Sequence, residues 1–323
     1  MKQYLFLFVS ILGLAIFTSC EKEVDEFEYD ELIRFQAYMS LHYPNLQPIS
    51  ESGLYCIIYE QGTGDSVKVD NYILYNYLGM NLDETVFETN IQSVAQTNDL
   101  YSSTSRYAPV FSSYSSSSLI EGLFEGISYL KVPAKARFIM PSSLAYGSTL
   151  HKGLSAYSSV IFDVELLRVI PDPEVFEQEQ IDEFLLDYFP FGIQDTILHD
   201  GVYYLELEEG EGEYFIKDDE IEVNYIGRFV DGTVFDTNIK SVAEENGIYQ
   251  SNKDYIPLKT VVESNELIDG FSLVFKKLRR EGTAKVLITS SKAYGTAGSG
   301  NIRPYEPLVF DIVVVTKVET DED

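Results

Sequence analysis

The chain has 323 residues, of which 45% are hydrophobic and 14% aromatic, with 24 tyrosines, 20 phenylalanines and no tryptophan. Its 52 acidic residues outnumber its 23 lysines and arginines, so the formal net charge at pH 7 is −29. A surface this acidic repels nucleic-acid phosphates and anionic lipid headgroups, which excludes electrostatic binding to either.

The first twenty residues differ from the rest. Lys2 precedes the apolar run YLFLFVSILGLAIF, which is short for a membrane-spanning helix and has the order of a secretion signal. The following FTSC resembles the lipobox of bacterial lipoproteins, which implies cleavage before Cys20 and lipidation of that residue. The acidic stretch after Cys20 resembles the surface-export signals of some Bacteroidota lipoproteins. An ordinary signal peptide with an incidental cysteine is the alternative.

These features predict a signal peptide at 1–19 and an acidic tether with a short helix at 20–48. They also predict a location in the cell envelope, with the protein anchored by a lipid on Cys20. The outer membrane is the expected membrane, and the protein would face either the periplasm or the cell surface.

One long segment occurs twice. VFETNIQSVAQTNDLYS begins at Val86, and VFDTNIKSVAEENGIYQ begins at Val234, 148 positions later. The same shift aligns Tyr77 with Tyr225 and continues without a gap for more than a hundred residues, which indicates a duplicated domain rather than a solenoid repeat. The length also suits two domains. We predict domains at 49–170 and 197–318, a linker helix at 171–196 and an acidic tail at 319–323.

The repeated unit is predicted to be mostly β. In the second copy Ile221, Val223 and Tyr225 alternate with polar residues, as in a half-buried strand. The runs TAKVLITS and PLVFDIVVVTKV are rich in β-branched residues and predict further strands. The segment 265–278 has apolar residues at helical spacing and Asn265 as a candidate N-cap. One amphipathic helix across an antiparallel sheet gives an α+β fold.

An acidic amphipathic stretch precedes each unit. The first, DEFEYDELIRFQAYMSLHYP, is predicted to form a short helix that ends before Pro44. The second, VFEQEQIDEFLLDYFP, is predicted to end before Pro190. We interpret this second helix as the connection between the domains.

Four motifs occur in the same order in both copies. The second copy contains VNYIG…DGTVFD, ELIDGF, KAYG and PLVFD, and the first contains YNYLG…VFE, SLIEGL, LAYG and SVIFD. This order resembles the FKBP family of peptidyl-prolyl isomerases. The resemblance implies two tandem domains, each an antiparallel half-barrel sheet of about five or six strands wrapped on one short helix. It also implies an apolar pocket that isomerises proline peptide bonds without a cofactor.

The resemblance assigns pocket residues in both copies. In the second copy they are Tyr225, Phe235, Asp236, Leu258, Leu267, Ile268, Phe271, Tyr294 and Phe310. The matching residues of the first copy are Tyr77, Phe87, Glu88, Val110, Leu119, Ile120, Leu123, Tyr146 and Phe162. The implied roles are a hydrogen bond from Tyr294 to a substrate carbonyl and an Asp236 carboxylate that orients Tyr225 or meets the rotating carbonyl.

Both pockets depart from the family pattern. The floor, which is tryptophan in the family, is Phe271 in the second copy and Leu123 in the first, and an aromatic rim residue is aliphatic in both. The first copy also has Glu88, one methylene longer than Asp236. We therefore expect the second domain to be the better isomerase and the first to be degenerate.

Both copies carry a longer connection than the family after the VFE or VFD motif, at 91–107 and 239–255. Equal length in the two copies indicates that the insertion preceded the duplication. A segment beside the pocket can act as a lid or contact a partner. The alternative is a surface loop that tolerates extra length.

Two functions of different classes fit the sequence. The first is an envelope-anchored isomerase and folding helper that acts on proline-containing peptides or exported proteins. The second is a non-catalytic lipoprotein that uses the same scaffold to bind a peptide or an envelope component. The three histidines have no metal-ligand spacing, so no zinc site is predicted. GTAGSG at 295–300 lacks the Gly-Lys-Ser/Thr of a phosphate-binding loop.

Overall fold

A computed structural model describes residues 26–188, 197–199, 201–264 and 267–315. The predicted signal peptide, the lipidation site Cys20, Pro190 and the candidate N-cap Asn265 lie outside the described residues. None of the helices within these ranges is both long enough and apolar enough to cross a membrane.

Two units of similar construction follow each other along the chain. The first contains α1 (Glu26–His42), β1 (Tyr55–Glu60), β2 (Tyr72–Asn81), β3 (Val86–Thr89), α2 (Gln92–Thr97), β4 (Val110–Ser113), α3 (Glu121–Ile127), β5 (Ala134–Met140), a 3₁₀ turn (Ser142–Leu144) and β6 (Val160–Ile170). The second contains α4 (Pro173–Tyr188), β7 (Ile197–His199), β8 (Val202–Glu208), β9 (Glu220–Phe229), β10 (Val234–Thr237), α5 (Lys240–Glu245), β11 (Leu258–Val261), α6 (Asp269–Phe275), β12 (Thr283–Ile288), a 3₁₀ turn (Ser290–Lys292) and β13 (Leu308–Val314).

Each unit is built on one antiparallel sheet. The first sheet has the strand order β1-β5-β6-β2-β3, and β4 also pairs with β2. The second has the order β10-β9-β13-β12-β8-β7, and β11 pairs with β9. The α+β prediction is confirmed, and the short strand Ile197–His199 makes the second sheet one strand larger than expected. The alternation along β9 is also confirmed, since Ile221 and Val223 are buried.

The inner face of each sheet wraps the short helix. In the first unit Ile127 of α3 and Phe138 of β5 are fully buried, and in the second Phe275 of α6 is fully buried. Burying one such side chain stabilises a domain by about 1.5–3 kcal/mol. The helix α6 is shorter than the predicted 265–278, because Ile268 is its N-cap in an extended conformation with no side-chain capping bond.

The outer face of each sheet is covered by the helix that precedes it. Phe35 and Met39 of α1 pack on the first sheet, where they meet Ile139 and Ile161. In the second unit α4 packs in the same way. Its buried residues Ile181, Phe184 and Leu185 form one cluster with Leu287 and Val309 of the sheet. Each unit is therefore a helix, a sheet and a helix in three layers. The helix α4, which lies within the segment predicted as a linker, is the outer layer of the second unit.

Local sequence explains why α4 begins where it does. The Asp172 carboxylate accepts hydrogen bonds from the backbone N–H groups of Glu174 and Val175 at 3.0 and 3.2 Å, as an N-cap residue does. Pro173 then occupies the first helical position, where its missing N–H costs nothing. α1 ends at His42, before Pro44, as predicted.

The two inserted segments fold alike. Each contains a short helix, α2 or α5, followed by two stacked tyrosines whose ring centroids are 5.4 Å apart. These pairs are Tyr101 with Tyr107 and Tyr249 with Tyr255. The segment of the first unit contacts the second unit, where Asn301 donates a hydrogen bond to the carbonyl oxygen of Thr104 at 2.6 Å.

Candidate active site

The predicted aromatic residues of the second domain form one cluster around Phe310. The Phe271 ring meets it edge-on at a centroid distance of 4.6 Å, and the Phe235 ring does so at 5.8 Å. Tyr225 lies 6.5 Å from the same ring. The predicted aliphatic residues pack against this cluster, namely Leu258, Leu267 and Ile268. The structure thus brings the predicted apolar residues of the second domain together.

The sheet brings these rings together because one position has no side chain. Gly227 on β9 pairs with Phe310 on β13. A methyl group at Gly227 would lie 2.8 Å from the Phe235 ring and 3.1 Å from the Phe310 ring. The glycine therefore provides the space in which the two rings meet.

A carboxylate stands beside this cluster. Asp236 on β10 accepts a hydrogen bond from the hydroxyl of Tyr225 at 2.8 Å. Its other oxygen accepts one at 2.5 Å from the ammonium of Lys253, which the inserted segment supplies. Burial and the nearby charge of Asp236 raise the pKa of Tyr225, so its hydroxyl stays protonated and remains a donor at neutral pH.

Tyr294 lies at the rim rather than in the cluster. Its side chain is 38% exposed. Burial and the charge of Asp236 raise the pKa of Tyr294, so it also carries its proton at neutral pH. The Asp236 carboxylate accepts hydrogen bonds from Tyr225 and Lys253, whereas the Tyr294 hydroxyl makes no hydrogen bond within the described part of the chain.

The aromatic cluster of the first domain has a similar frame. Phe87 meets Phe162 edge-on at 5.8 Å, and Tyr77 lies 6.1 Å from Phe162. The remaining predicted apolar residues belong to the same core or pack against it, namely Val110, Leu119, Ile120, Leu123 and Tyr146. The structure therefore also brings the predicted apolar residues of the first domain together.

The polar residues of the first site have a different hydrogen-bond pattern. Glu88 accepts a hydrogen bond at 2.6 Å from the hydroxyl of Tyr146, the residue that aligns with Tyr294. Lys152 donates to the other oxygen of Glu88 at 2.7 Å, and the His151 ring nitrogen lies 3.3 Å from that oxygen. His151 also stacks on the Tyr146 ring with centroids 3.7 Å apart. The tyrosine that is free in the second domain is thus engaged in the first.

The environment of Glu88 keeps it charged. Burial alone would raise its pKa, but the hydrogen bonds from Lys152 and Tyr146 outweigh burial and lower it. A cavity of about 590 Å³ opens beside this carboxylate, and Asn301 and Arg303 of the second domain contribute to its wall. The first pocket therefore combines an ionised carboxylate with residues from both domains.

The sequence did not reveal the cations at the two sites. Lys152 aligns with Gly300, and Lys253 aligns with Ser105, so each cation exists in one copy only. A search for residues shared by both copies passes over such positions. A comparison of the charged residues that differ between the copies would have found them.

The two sites favour a reaction that breaks no covalent bond. Each joins an apolar, aromatic cluster with tyrosine hydroxyls and one carboxylate. Rotation about an X–Pro imide requires no nucleophile, since its barrier of about 18–20 kcal/mol comes from resonance in the planar C–N bond. A pocket that holds a proline ring and donates to a carbonyl can bind the twisted imide more tightly than the planar one.

The comparisons with known proteins agree with this fold. The model of the FKBP-type peptidyl-prolyl cis-trans isomerase family matches residues 64–167 and 212–315. The chain belongs to this family and carries two of its domains in tandem, as the four repeated motifs predicted.

Individual relatives match less than the whole chain. FkpA of Escherichia coli is 29% identical over 133 residues, which are 41% of this chain and 44% of FkpA. The macrophage infectivity potentiator of Trypanosoma cruzi is 35% identical over 100 residues, which are 31% of this chain and 43% of that protein. The crystal structure of E. coli FkpA aligns with 45% of this chain and 61% of its own, at 25% identity and a TM-score of 0.36. The chain spans about half the length of the curated relatives it matches.

Proposed function

We propose that the protein is a peptidyl-prolyl cis-trans isomerase whose activity lies mainly in the second domain. Family membership supports the reaction class. The free Tyr294 hydroxyl is the observation that supports the choice of domain, because its counterpart Tyr146 is bonded to Glu88 and stacked on His151.

The second pocket supplies the groups that the reaction needs. Phe235, Phe271 and Phe310 hold the proline ring away from water, which favours the twisted imide because it is less polar than the planar one. Tyr294 donates its proton to a carbonyl oxygen of the substrate. Asp236 holds the hydroxyl of Tyr225 in place and lies near the path of the rotating carbonyl.

Two separate variants, each lacking one tyrosine hydroxyl, test the assignment of activity to the second domain. We expect Tyr294→Phe to lower kcat/KM for a proline peptide by about twofold to tenfold, since a hydrogen bond is worth about 0.5–1.5 kcal/mol and each 1.4 kcal/mol is about tenfold. Tyr146→Phe in the same full chain is the matched control and should leave turnover unchanged. Equal losses in the two variants would reject the assignment to the second domain, and no loss in either would reject the role of the tyrosines.

We also propose that the substrates are exported proteins and that a lipid on Cys20 holds the enzyme at the cell envelope. The support is the FTSC sequence after an apolar run and the acidic tether that follows it. Mass spectrometry of the mature protein from a bacterial envelope tests the anchor. A mature chain that begins at Cys20 and carries acyl groups is expected, and a chain without acyl groups would overturn the anchor.

The insertion at 239–255 is proposed to form part of the active pocket. Its Lys253 binds the same carboxylate that holds Tyr225. Replacing Lys253 with glutamine is therefore expected to change KM for proline peptides. Ser105→Gln, the same side chain at the aligned position of the first domain, is the control. Identical KM values for the wild type and Lys253→Gln would leave 239–255 as a tolerated surface loop.

A further inference from the structure

A buried carboxylate connects the outer helix of the second domain to the loop that carries Tyr294. Glu177 lies on α4, outside the residues that the family model matches, and is only 8% exposed. One of its oxygens accepts the backbone N–H of Ser290 at 2.6 Å, and the other accepts the Ser290 hydroxyl at 2.7 Å. The two bonds tie both the backbone and the side chain of Ser290 to α4.

The same arrangement occurs in the first domain. Glu31 lies on α1, also outside the matched residues, and is 4% exposed. It accepts the backbone N–H of Ser142 at 2.6 Å and the Ser142 hydroxyl at 2.5 Å. A third hydrogen bond, at 2.6 Å, comes from the Ser159 hydroxyl. Both copies of the duplicated domain therefore contain a buried glutamate on the outer helix that binds the serine at the same position of the 3₁₀ turn.

The serine that donates to the carboxylate also holds the backbone on both sides of the tyrosine. The carbonyl oxygen of Ser290 accepts the N–H of Ala293 at 2.9 Å and the N–H of Gly295 at 2.7 Å. These two residues flank Tyr294. The first domain repeats this geometry around Tyr146, where the Ser142 carbonyl accepts the N–H groups of Ala145 and Gly147, both at 2.8 Å.

We infer that Glu177 is a positioning residue for Tyr294, acting through Ser290, and that α4 is thereby part of the catalytic apparatus. This inference rests on the proposed function. Without the Glu177 carboxylate, the Ser290 N–H and hydroxyl would be buried with no acceptor. We expect the loop that carries Ser290 and Tyr294 to move so that these donors find another partner. Moving the Tyr294 hydroxyl out of place is expected to cost at most as much rate as removing it.

The first experiment is a double-mutant cycle in the full chain. We expect Glu177→Ala to lower kcat for a proline peptide by about twofold to tenfold with little change in KM, because the Tyr294 hydroxyl acts in the transition state. In a Tyr294→Phe background the same substitution should change kcat by less than about twofold, because the two residues act through one path. Glu177→Gln retains an oxygen that accepts the Ser290 N–H and should restore most of the loss.

The duplication supplies the control for general destabilisation. Glu31→Ala removes an equally buried glutamate and should lower thermal stability by a similar amount, yet leave kcat unchanged. A loss of kcat in Glu31→Ala equal to that in Glu177→Ala would overturn the positioning role. Fully multiplicative effects of Glu177→Ala and Tyr294→Phe on kcat would also overturn it.

A second measurement does not depend on activity. Amide hydrogen exchange at Gly295 should accelerate in Glu177→Ala and stay unchanged in Glu31→Ala, because the Gly295 N–H is bonded to the Ser290 carbonyl. Unchanged exchange at Gly295 in Glu177→Ala would overturn the inference even if the protein is an isomerase. Accelerated exchange with no effect of Tyr294→Phe on kcat would instead contradict the proposed function and leave the positioning contact intact.

Discussion

Arg106 of the first domain and Glu306 of the second form a two-pronged ion pair, with N–O distances of 2.9 and 3.1 Å. The Glu306 side chain is 1% exposed and that of Arg106 is 11% exposed, so the pair is shielded from water. The Arg106 guanidinium also lies 3.5 Å from the centre of the Phe229 ring, and Arg303 binds the same carboxylate. The inserted segment of the first domain therefore helps to dock the two domains, beside aromatic contacts such as that between Phe111 and Phe176.

Removing Arg106 tests this docking. We expect Arg106→Ala to lower the free energy of unfolding by about 1–3 kcal/mol, since it removes charge-assisted hydrogen bonds and a cation–aromatic contact while Arg303 still pairs with Glu306. Urea unfolding measures the loss, and we expect the two domains to unfold in separate transitions in the variant. The control is Lys135→Ala, whose exposed ion pairs are worth about 1 kcal/mol or less. Equal losses in the two variants would contradict the docking role.

The same ion pair gives the stability a defined pH dependence. Burial disfavours the charge on Glu306, but hydrogen bonds from Arg303 and Arg106 outweigh burial and lower the pKa below the ordinary value of 4.5. The stabilisation is therefore complete above pH 4.5 and is lost as the pH falls through the lower folded-state pKa. The difference in unfolding free energy between the wild type and Glu306→Gln should shrink below pH 4.5. A difference that stays constant with pH would contradict this account.

Alanine substitutions at two aligned glycines test which domain is active. A methyl group at Gly227 meets the Phe235 and Phe310 rings, and one at Gly79 meets the Phe87 ring at 2.9 Å in the first domain. Both alanine variants should lose about 1–3 kcal/mol of stability through overpacking. Isomerase assays should show a large fall in kcat/KM for Gly227→Ala and none for Gly79→Ala. A fall in Gly79→Ala alone would place the activity in the first domain.

The engaged tyrosine of the first domain can be released. The triple variant E88D/H151S/K152G gives the first domain the residues that the second has at these positions. It shortens the carboxylate, removes the stacked ring and removes the ammonium, and glycine suits the positive φ of 41° at Lys152. In a Tyr294→Phe background we expect the triple variant to raise kcat/KM by about tenfold, corresponding to about 1.4 kcal/mol. No gain would mean that the pocket is limited by its Leu123 floor instead.

Tyr294 also predicts how turnover responds to alkaline pH. Burial and Asp236 raise its pKa above the ordinary tyrosine value of 10.0, so the hydroxyl remains a donor at that pH. We expect kcat/KM to stay level through pH 10.0 and to fall only above it, with circular dichroism to show that the fold persists. A decline with an apparent pKa at or below 10.0 would show that another group controls the reaction.

Much of the fold and of the apolar pocket was predictable because both follow from patterns along the chain. Ile221 and Val223 alternate with polar residues, and that alternation alone places them on the buried face of a strand. The motif order then located Phe235 and Phe310, which meet in the structure. These predictions depend on local periodicity and on sequence similarity, both of which one chain displays.

The polar contacts were not predictable in the same way. Glu177 binds Ser290 across 113 positions, and no local pattern marks either residue. The buried Glu31 and Glu177 are also 146 positions apart rather than 148, so the repeat alignment does not pair them. Tyr146 and Tyr294 look equivalent in the sequence, and only the three-dimensional placement of Lys152 and His151 distinguishes them.

The packing of α4 on the second sheet has a practical consequence for dissecting the chain. A fragment that starts at 212, where the family match begins, omits α4, the helix that covers the outer face of that sheet. Leu287 and Val309 would then meet solvent, and Ser290 would lose its acceptor. Each folding unit runs from the N-cap of its outer helix to the end of the sheet that follows. A cut before Asp172 therefore preserves the second unit, whereas a cut after Tyr188 divides it.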